Sequence, residues 1–151
     1  MKGEITVRRS AGFAWQIPFS RRELVAVLSA MRDACGLAGV PLDVTLADDA
    51  LISQVNAEHL LCSGPTNILS FPPFAGFGPG LGTVPGKGIL LLSLDTLQRE
   101  AMLYGQDVAE YAMRLLAHGM THLTGLDHGT KMDALQGRAF EAGMRERDSF
   151  S

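Results

Sequence analysis

Three of the chain's four histidines fall in one short stretch, HGMTHLTGLDH, running from His118 to His128. His118 and His122 are four apart, a spacing that on a helix stacks two imidazoles on one face. Gly125 lets the chain leave such a helix through a left-handed turn. His128 follows three residues later and can fold back to the same point. Three neutral imidazoles arriving from a helix and the turn after it make an open-sided metal site. Three protein ligands, with a fourth position left for water or substrate, is the catalytic zinc pattern. Nitrogen donors also suit nickel and other late first-row divalent ions, so one ion per chain is expected, zinc first.

The spacing H-x-x-x-H-x-x-G-x-x-H is shared with the long zincin signature, whose members carry a glutamate general base directly after the first histidine. Here that position is Gly119, so a peptidase of that type lacks its proton acceptor. Phosphodiester cleavage depends less on such a side chain, because an ion can polarise the phosphoryl oxygen and activate water together. Asp127, beside His128, stands either to orient an imidazole from behind or to cap the turn.

These residues need a helix that ends at Gly125. Asp107 with Glu110 forms a capping box for a helix over about 108–124, and Thr130 caps a last helix running to about Arg145. Upstream, residues 4–8 alternate as a strand. Ser20 with Glu23 opens a helix over about 21–35 whose apolar face is Leu24, Val27, Leu28 and Met31. DVTLA, after Pro41, is a second strand. Asp48 caps a helix carrying Leu51, Ile52, Val55 and His59. NILSF is a short third strand stopped by Pro72 and Pro73; on its own residues it is a plain buried strand. ILLLSL, residues 89–94, reads as a buried central strand, followed by a helix from about Asp95 to Tyr104. The order predicts an α/β (α+β) fold: a small mixed four-stranded sheet packed with about five helices, in one domain over 1–151. Between Pro72 and Gly88 lies a Gly/Pro-rich loop of the kind that forms functional lids or insertions.

Composition narrows the class. The 151 residues suit one domain. With 46% hydrophobic and 19% charged residues, disorder and a charged coiled coil are excluded. Cys35 and Cys62 form no disulfide framework or metal spacing, which points to a reducing cytoplasm. The opening MKGEITVRRS has no apolar run behind its charges, so no secretory leader is expected. The uncharged stretch His59–Gly86 carries five prolines and six glycines, which rules out a simple spanning helix. A net charge of −3 argues against a strongly basic nucleic-acid binder. Base is nevertheless in excess up to Arg32, and no lysine or arginine occurs from Asp33 to Gly86. Two solvated faces of opposite sign account for this, or else a local surface for an anionic ligand.

From about Val44 to Met144 the sequence resembles the YbeY family, bacterial metal-dependent endoribonucleases of rRNA maturation. The family's histidine motif HGxLHLxGYDH stands here as HGMTHLTGLDH. Its asparagine, arginine and PTDVLSFP correspond to the stretch from Asn56 to Pro72, and SLDTLQREA, residues 93–101, also fits. The resemblance implies that His118, His122 and His128 hold the ion. It also implies that the strand PTNILSF lines the cleft beside it, with Thr66 and Ser70 offering hydroxyls. The candidate catalytic residues are thus His118, Asp127, Ser70 and Thr66. The implied activity is cleavage of single-stranded rRNA in small-subunit 3′-end processing and ribosome quality control, with the small subunit and its assembly factors as partners. The departures concern groups that bind phosphate. The family's arginine is Leu60, His59 replaces an aromatic, the aspartate of PTD is Asn67, and the G-D before the central strand is Lys87-Gly88. Arg99 and Arg114 read as solvated helix residues. Two other readings stand beside the nuclease: a non-catalytic zinc-stabilised assembly factor, and a metallo-hydrolase of another substrate.

Overall fold

A computed structural model describes residues 3–10, 17–73, 86–126 and 129–150. The order is β1 (Ile5–Arg9), α1 (Arg21–Ala34), β2 (Leu42–Ala47), α2 (Asp49–Leu60), β3 (Ile68–Phe71), β4 (Gly88–Ser93), α3 (Leu94–Leu103), α4 (Val108–His122) and α5 (Thr130–Asp148). The four strands form one sheet in the order β1-β2-β4-β3. The first three are parallel, and β3 runs antiparallel along the edge, with Ile68 opposite Leu92 and Phe71 opposite Ile89. This is the mixed four-stranded α+β arrangement expected from the sequence.

Each strand has two faces with separate cover, as the period of two demands. Leu69, Phe71, Ile89 and Leu91 face Ile52 and Val55 of α2. Leu42, Val44, Leu46, Ile68, Leu90 and Leu92 face the larger core built from α1, α3, α4 and α5. β4 is buried along its whole length, as its apolar run required. It ends one residue earlier than the apolar run does. Ser93 closes the strand and at once caps α3, its hydroxyl accepting from Thr96 N–H at 3.2 Å, so no residue separates the two elements.

The caps follow the sequence with two corrections. Ser20 and Glu23 form the full capping box of α1, and Asp48 accepts from Leu51 N–H at 2.8 Å. Asp107 caps α4 by accepting from Glu110 N–H at 3.0 Å. Glu110, however, turns its carboxylate to Arg114 at 3.2 Å instead of completing a box. Thr130 is the first residue of α5 and not its cap; Gly129 holds the cap position at φ 151 without a side-chain bond. That helix also runs past Arg145 to Asp148, because the RERD segment holds no residue that stops a helix.

The basic N-terminal segment is partly spent inside the fold. Arg32 is buried and donates to Gly3 O at 3.1 Å and Val40 O at 2.9 Å, and Arg8 pairs with Asp43 at 3.2 Å. These bonds tie α1 and β1 to their neighbours and leave less positive surface than the residue count suggests.

One polar knot fixes the far end of the sheet. Asp49, the first residue of α2, accepts from Ser93 Oγ at 2.6 Å, Thr96 Oγ1 at 2.7 Å and Arg99 Nη2 at 2.8 Å. Its own N–H donates to Asp95 at 2.9 Å. Arg99 is exposed, as expected of a solvated helix residue, yet its guanidinium also ties α3 to the start of α2 through Asp49. Burial alone would raise the Asp49 pKa, but the three hydrogen bonds and the Arg99 charge together lower it. A lowered carboxylate pKa stabilises the fold above the unfolded value of about 3.9, and the contribution is lost as pH falls through the folded value. Asp49→Ala should therefore cost about 1–3 kcal/mol at neutral pH by leaving hydroxyls and a guanidinium without their acceptor. Urea unfolding at pH 7 and pH 3 checks this: the gap between wild type and variant is expected to shrink at the lower pH.

Candidate metal centre

Helix α4 carries His118 and His122, the two histidines of the motif that the structure describes. Its inward face, including Ala112, Met113, Leu116 and Met120, is fully buried and fixes how the helix is rotated. That rotation leaves His118 and His122 half-buried at one edge. The helix closes after His122. Leu123 is buried as its C-cap, and Gly125 takes φ 82 with its N–H on His122 O at 3.1 Å. Gly125 thus performs the turn the sequence assigned to it.

The two rings stand edge to face with centroids 4.5 Å apart. Their Nε2 atoms meet at 3.0 Å. Two nitrogens that close can share one ion with bonds of about 2.0–2.1 Å each. On its other side His118 is held by α5: Nδ1 lies 2.8 Å from Gln136 Oε1. The donor set and its backing group fit a late first-row divalent ion. His128 and Asp127, the other two residues of the motif, lie outside the described residues. Among the described residues no group of three metal-ligating side chains assembles.

Gln136 is the residue that sequence reasoning missed. Its only linear signal is its place beside Leu135 and one turn from Met132 and Ala139, the buried positions of α5. Nothing in the sequence pairs it with a histidine eighteen residues earlier.

Gly119 explains the absent zincin base. A Cβ at this position would stand 2.6 Å from Ile68 Cδ1, 3.1 Å from Leu90 Cδ2 and 3.2 Å from Ser70 Oγ. Strand β3 occupies the volume that a glutamate would need. Ser70 is brought to the metal helix as expected, yet its hydroxyl donates to Gly119 O at 2.9 Å. It fastens strand to helix, so at this point β3 is seated on α4 and no open cleft separates them. Thr66 is placed elsewhere. It lines a cleft of about 690 Å³ together with Pro65, Arg99, Glu100 and Tyr104. That cleft is walled by α3 and lies beyond the opposite end of β3 from the histidines. There Glu100 accepts from Tyr111 Oη at 2.9 Å and from Asn67 Nδ2 at 3.0 Å. Burial, followed by the bond to Glu100 and its charge, raises the Tyr111 pKa. An aspartate at position 67 could not donate to Glu100, so the amide suits this chain. Of the Gly/Pro-rich loop between Pro72 and Gly88, residues 74–85 lie outside the described residues; Gly86 N–H donates to Pro73 O at 2.8 Å.

The two remaining departures differ in kind. Gly88 begins β4, and a Cβ there would lie 3.0 Å from both Leu123 Cδ1 and Leu42 Cδ2. The position faces the core, so no phosphate-binding group has been lost from this site. Leu60 ends α2 and is 45% exposed, next to Leu61, which takes the left-handed φ of 54. Asn56 folds the following turn by donating to Gly64 O at 3.1 Å. The last turn of α2 reaches the histidine end of β3, where the ring of His59 meets Phe71 edge to face at 6.3 Å.

Comparison with known proteins gives a consistent picture. The family model described as Endoribonuclease YbeY matches residues 16–145. A protein named Endoribonuclease YbeY from Nitratidesulfovibrio vulgaris is 47% identical over 147 residues, covering 89% of this chain and 91% of that protein. Proteins of the same name from Oleidesulfovibrio alaskensis and Lawsonia intracellularis are 39% and 36% identical, covering 85% and 79% of this chain and 86% and 82% of their own lengths. The solution structure of TM1509 from Thermotoga maritima shares the fold at a TM-score of 0.62 and 17% identity, covering 96% of this chain and 92% of that one.

The seating of β3 on α4 gives a direct prediction. Gly119→Ala should destabilise the chain by about 1–3 kcal/mol through overpacking, read as a lower urea midpoint. Ser70→Ala, which removes the fastening bond without adding volume, should cost only about 1 kcal/mol.

Proposed function

The chain belongs to the YbeY family of endoribonucleases, and from that membership we propose that it hydrolyses phosphodiester bonds of unpaired RNA with an ion held by His118, His122 and His128. The observation that carries this reading is the pair of half-buried imidazoles whose Nε2 atoms meet 3.0 Å apart. Zinc is the ion expected, with nickel or another late first-row divalent metal compatible with the same nitrogens. When bound, the ion supplies Lewis acidity toward a phosphoryl oxygen and toward the attacking water.

The chain's own residues do the rest. Gln136 holds His118, the buried face of α4 sets the direction of both rings, and Gly119 keeps the helix free of a side-chain base. A site without that base suits phosphodiester hydrolysis better than peptide hydrolysis. Unpaired RNA exposes its backbone and bases, whereas a duplex is recognised mostly by shape. Within the family's work the substrate is ribosomal RNA at the 3′ end of the small-subunit rRNA, in maturation and quality control. The partners are the small ribosomal subunit and its assembly factors, and the place is the cytoplasm. No helix among the described residues is long and apolar enough to cross a membrane.

Leu60 sets the expected rate. An arginine there would offer a preorganised charge to the phosphate. By analogy with one oxyanion donor, its absence costs roughly 3 kcal/mol in the transition state. That leaves a slow enzyme.

Two predictions follow from this reading. Chain purified without chelators or a histidine tag should contain close to one equivalent of divalent metal, and His122→Ala should lose both the metal and the cleavage of unpaired RNA. Metal below a tenth of an equivalent, together with equal cleavage by wild type and variant, would overturn the reading. Leu60→Arg should raise the cleavage rate at saturating metal by about tenfold or more, since each 1.4 kcal/mol recovered is a factor of ten.

A further inference from the structure

Gln136 sits on the second turn of α5 with its amide oxygen 2.8 Å from His118 Nδ1. An amide oxygen carries lone pairs and no proton, so Nδ1 is the donor in this contact. A neutral imidazole with its proton on Nδ1 has its lone pair on Nε2. That is the atom turned toward His122 Nε2 at 3.0 Å. We propose that Gln136 is the positioning residue of the metal centre. It fixes the tautomer and rotation of His118 so that Nε2 always presents a ligand lone pair, and it does so without adding negative charge. This rests on the reading of His118 and His122 as ligands.

The neutral amide has a consequence of its own. A carboxylate behind a ligand histidine raises the basicity of the imidazole and passes more charge to the ion. An amide holds the same geometry and passes less, so a bound ion keeps more of its positive character toward a phosphoryl oxygen. In a chain with Leu60 at the family's arginine position, this offsets part of the positive charge missing at the phosphate. The neighbouring cation does not take the role. Gln136 shares a cavity of about 280 Å³ with Arg114, Asp133, Gly137 and Phe140. The Arg114 guanidinium is placed over the Phe140 ring at 4.5 Å and against Glu110 at 3.2 Å.

The test compares wild type, Gln136→Met and Gln136→Glu, each stripped of metal and refilled with zinc or cobalt(II). Methionine keeps the length and helix preference of glutamine and removes the acceptor. Circular dichroism and the melting curve of the metal-free chains establish that each variant folds. A chelator competition should show Gln136→Met binding zinc about 10- to 100-fold more weakly than wild type, with a changed cobalt(II) visible spectrum. Gln136→Glu should restore or exceed wild-type affinity, yet cleave unpaired RNA more slowly at saturating metal. Wild-type affinity and an unchanged cobalt spectrum in Gln136→Met would overturn the positioning role. Faster cleavage by Gln136→Glu would overturn the part played by charge. If wild type itself takes up neither zinc nor cobalt, the histidine reading fails, and the proposal falls with it.

Discussion

Strand β3 lies so close to helix α4 at Gly119 that any side chain there would press on those of Ile68, Leu90 and Ser70. A Cβ at Gly119 would meet Ile68, Leu90 and Ser70 at 2.6–3.2 Å, and Ser70 closes the contact with a bond to the Gly119 carbonyl at 2.9 Å. Everything at the histidine edge depends on this approach. It fixes the depth and rotation of α4 against the sheet, and thereby the direction in which His118 and His122 point. It also removes the position from which a helix of this pattern would offer a carboxylate base. What remains among the described residues is a pair of nitrogen donors with no carboxylate directly after the first histidine, a better match to metal-assisted hydrolysis of a phosphodiester than of a peptide.

The contact also divides the molecule along β3. At one end the strand meets the histidines, with the last turn of α2 close by through His59 and Phe71. At the other end Asn67, Glu100 and Tyr111 form a hydrogen-bonded chain that walls a separate cleft with α3. Beneath that end, Asp49 gathers Ser93, Thr96 and Arg99 and locks the starts of α2 and α3 to the end of β4. Thr66 and Ser70, four positions apart and assigned together from sequence, belong to these two different ends. Thr66 precedes the strand and lines the cleft with α3, whereas Ser70 lies within the strand and bonds to α4. The histidine pair and the cleft lined by Thr66 therefore lie at different places along the same edge of the sheet.

Local rules made much of this legible. The four-residue spacing of His118 and His122, the glycine at 125 and the caps at Ser20, Asp48 and Asp107 are signals carried by residues close in sequence. They act through helix periodicity and backbone bonds that are themselves local. The apolar run of β4 announced a strand covered on both faces. What escaped the sequence depends on distant segments meeting. Gln136 reaches His118 across a turn. Arg99 and Arg32 are charged residues whose partners come from other elements. Gly88 resembles a missing acidic group until Leu42 and Leu123 are seen pressing on it. Thr130 resembles a cap, but it is the first residue of the helix, and Gly129 holds the cap position at the positive φ of 151. The physical role of each residue neighbouring the histidines had to come from packing.

The proposed chemistry requires that these histidines hold one ion. X-ray absorption at the zinc edge of the loaded chain tests it most directly. Three histidine ligands should give a first shell of light atoms at about 2.0–2.1 Å, with the outer-shell scattering of imidazole rings, and loss of that ring signal in His118→Ala. A first shell containing sulfur at about 2.3 Å would place the ion on a cysteine instead. A spectrum lacking imidazole scattering would likewise contradict the account.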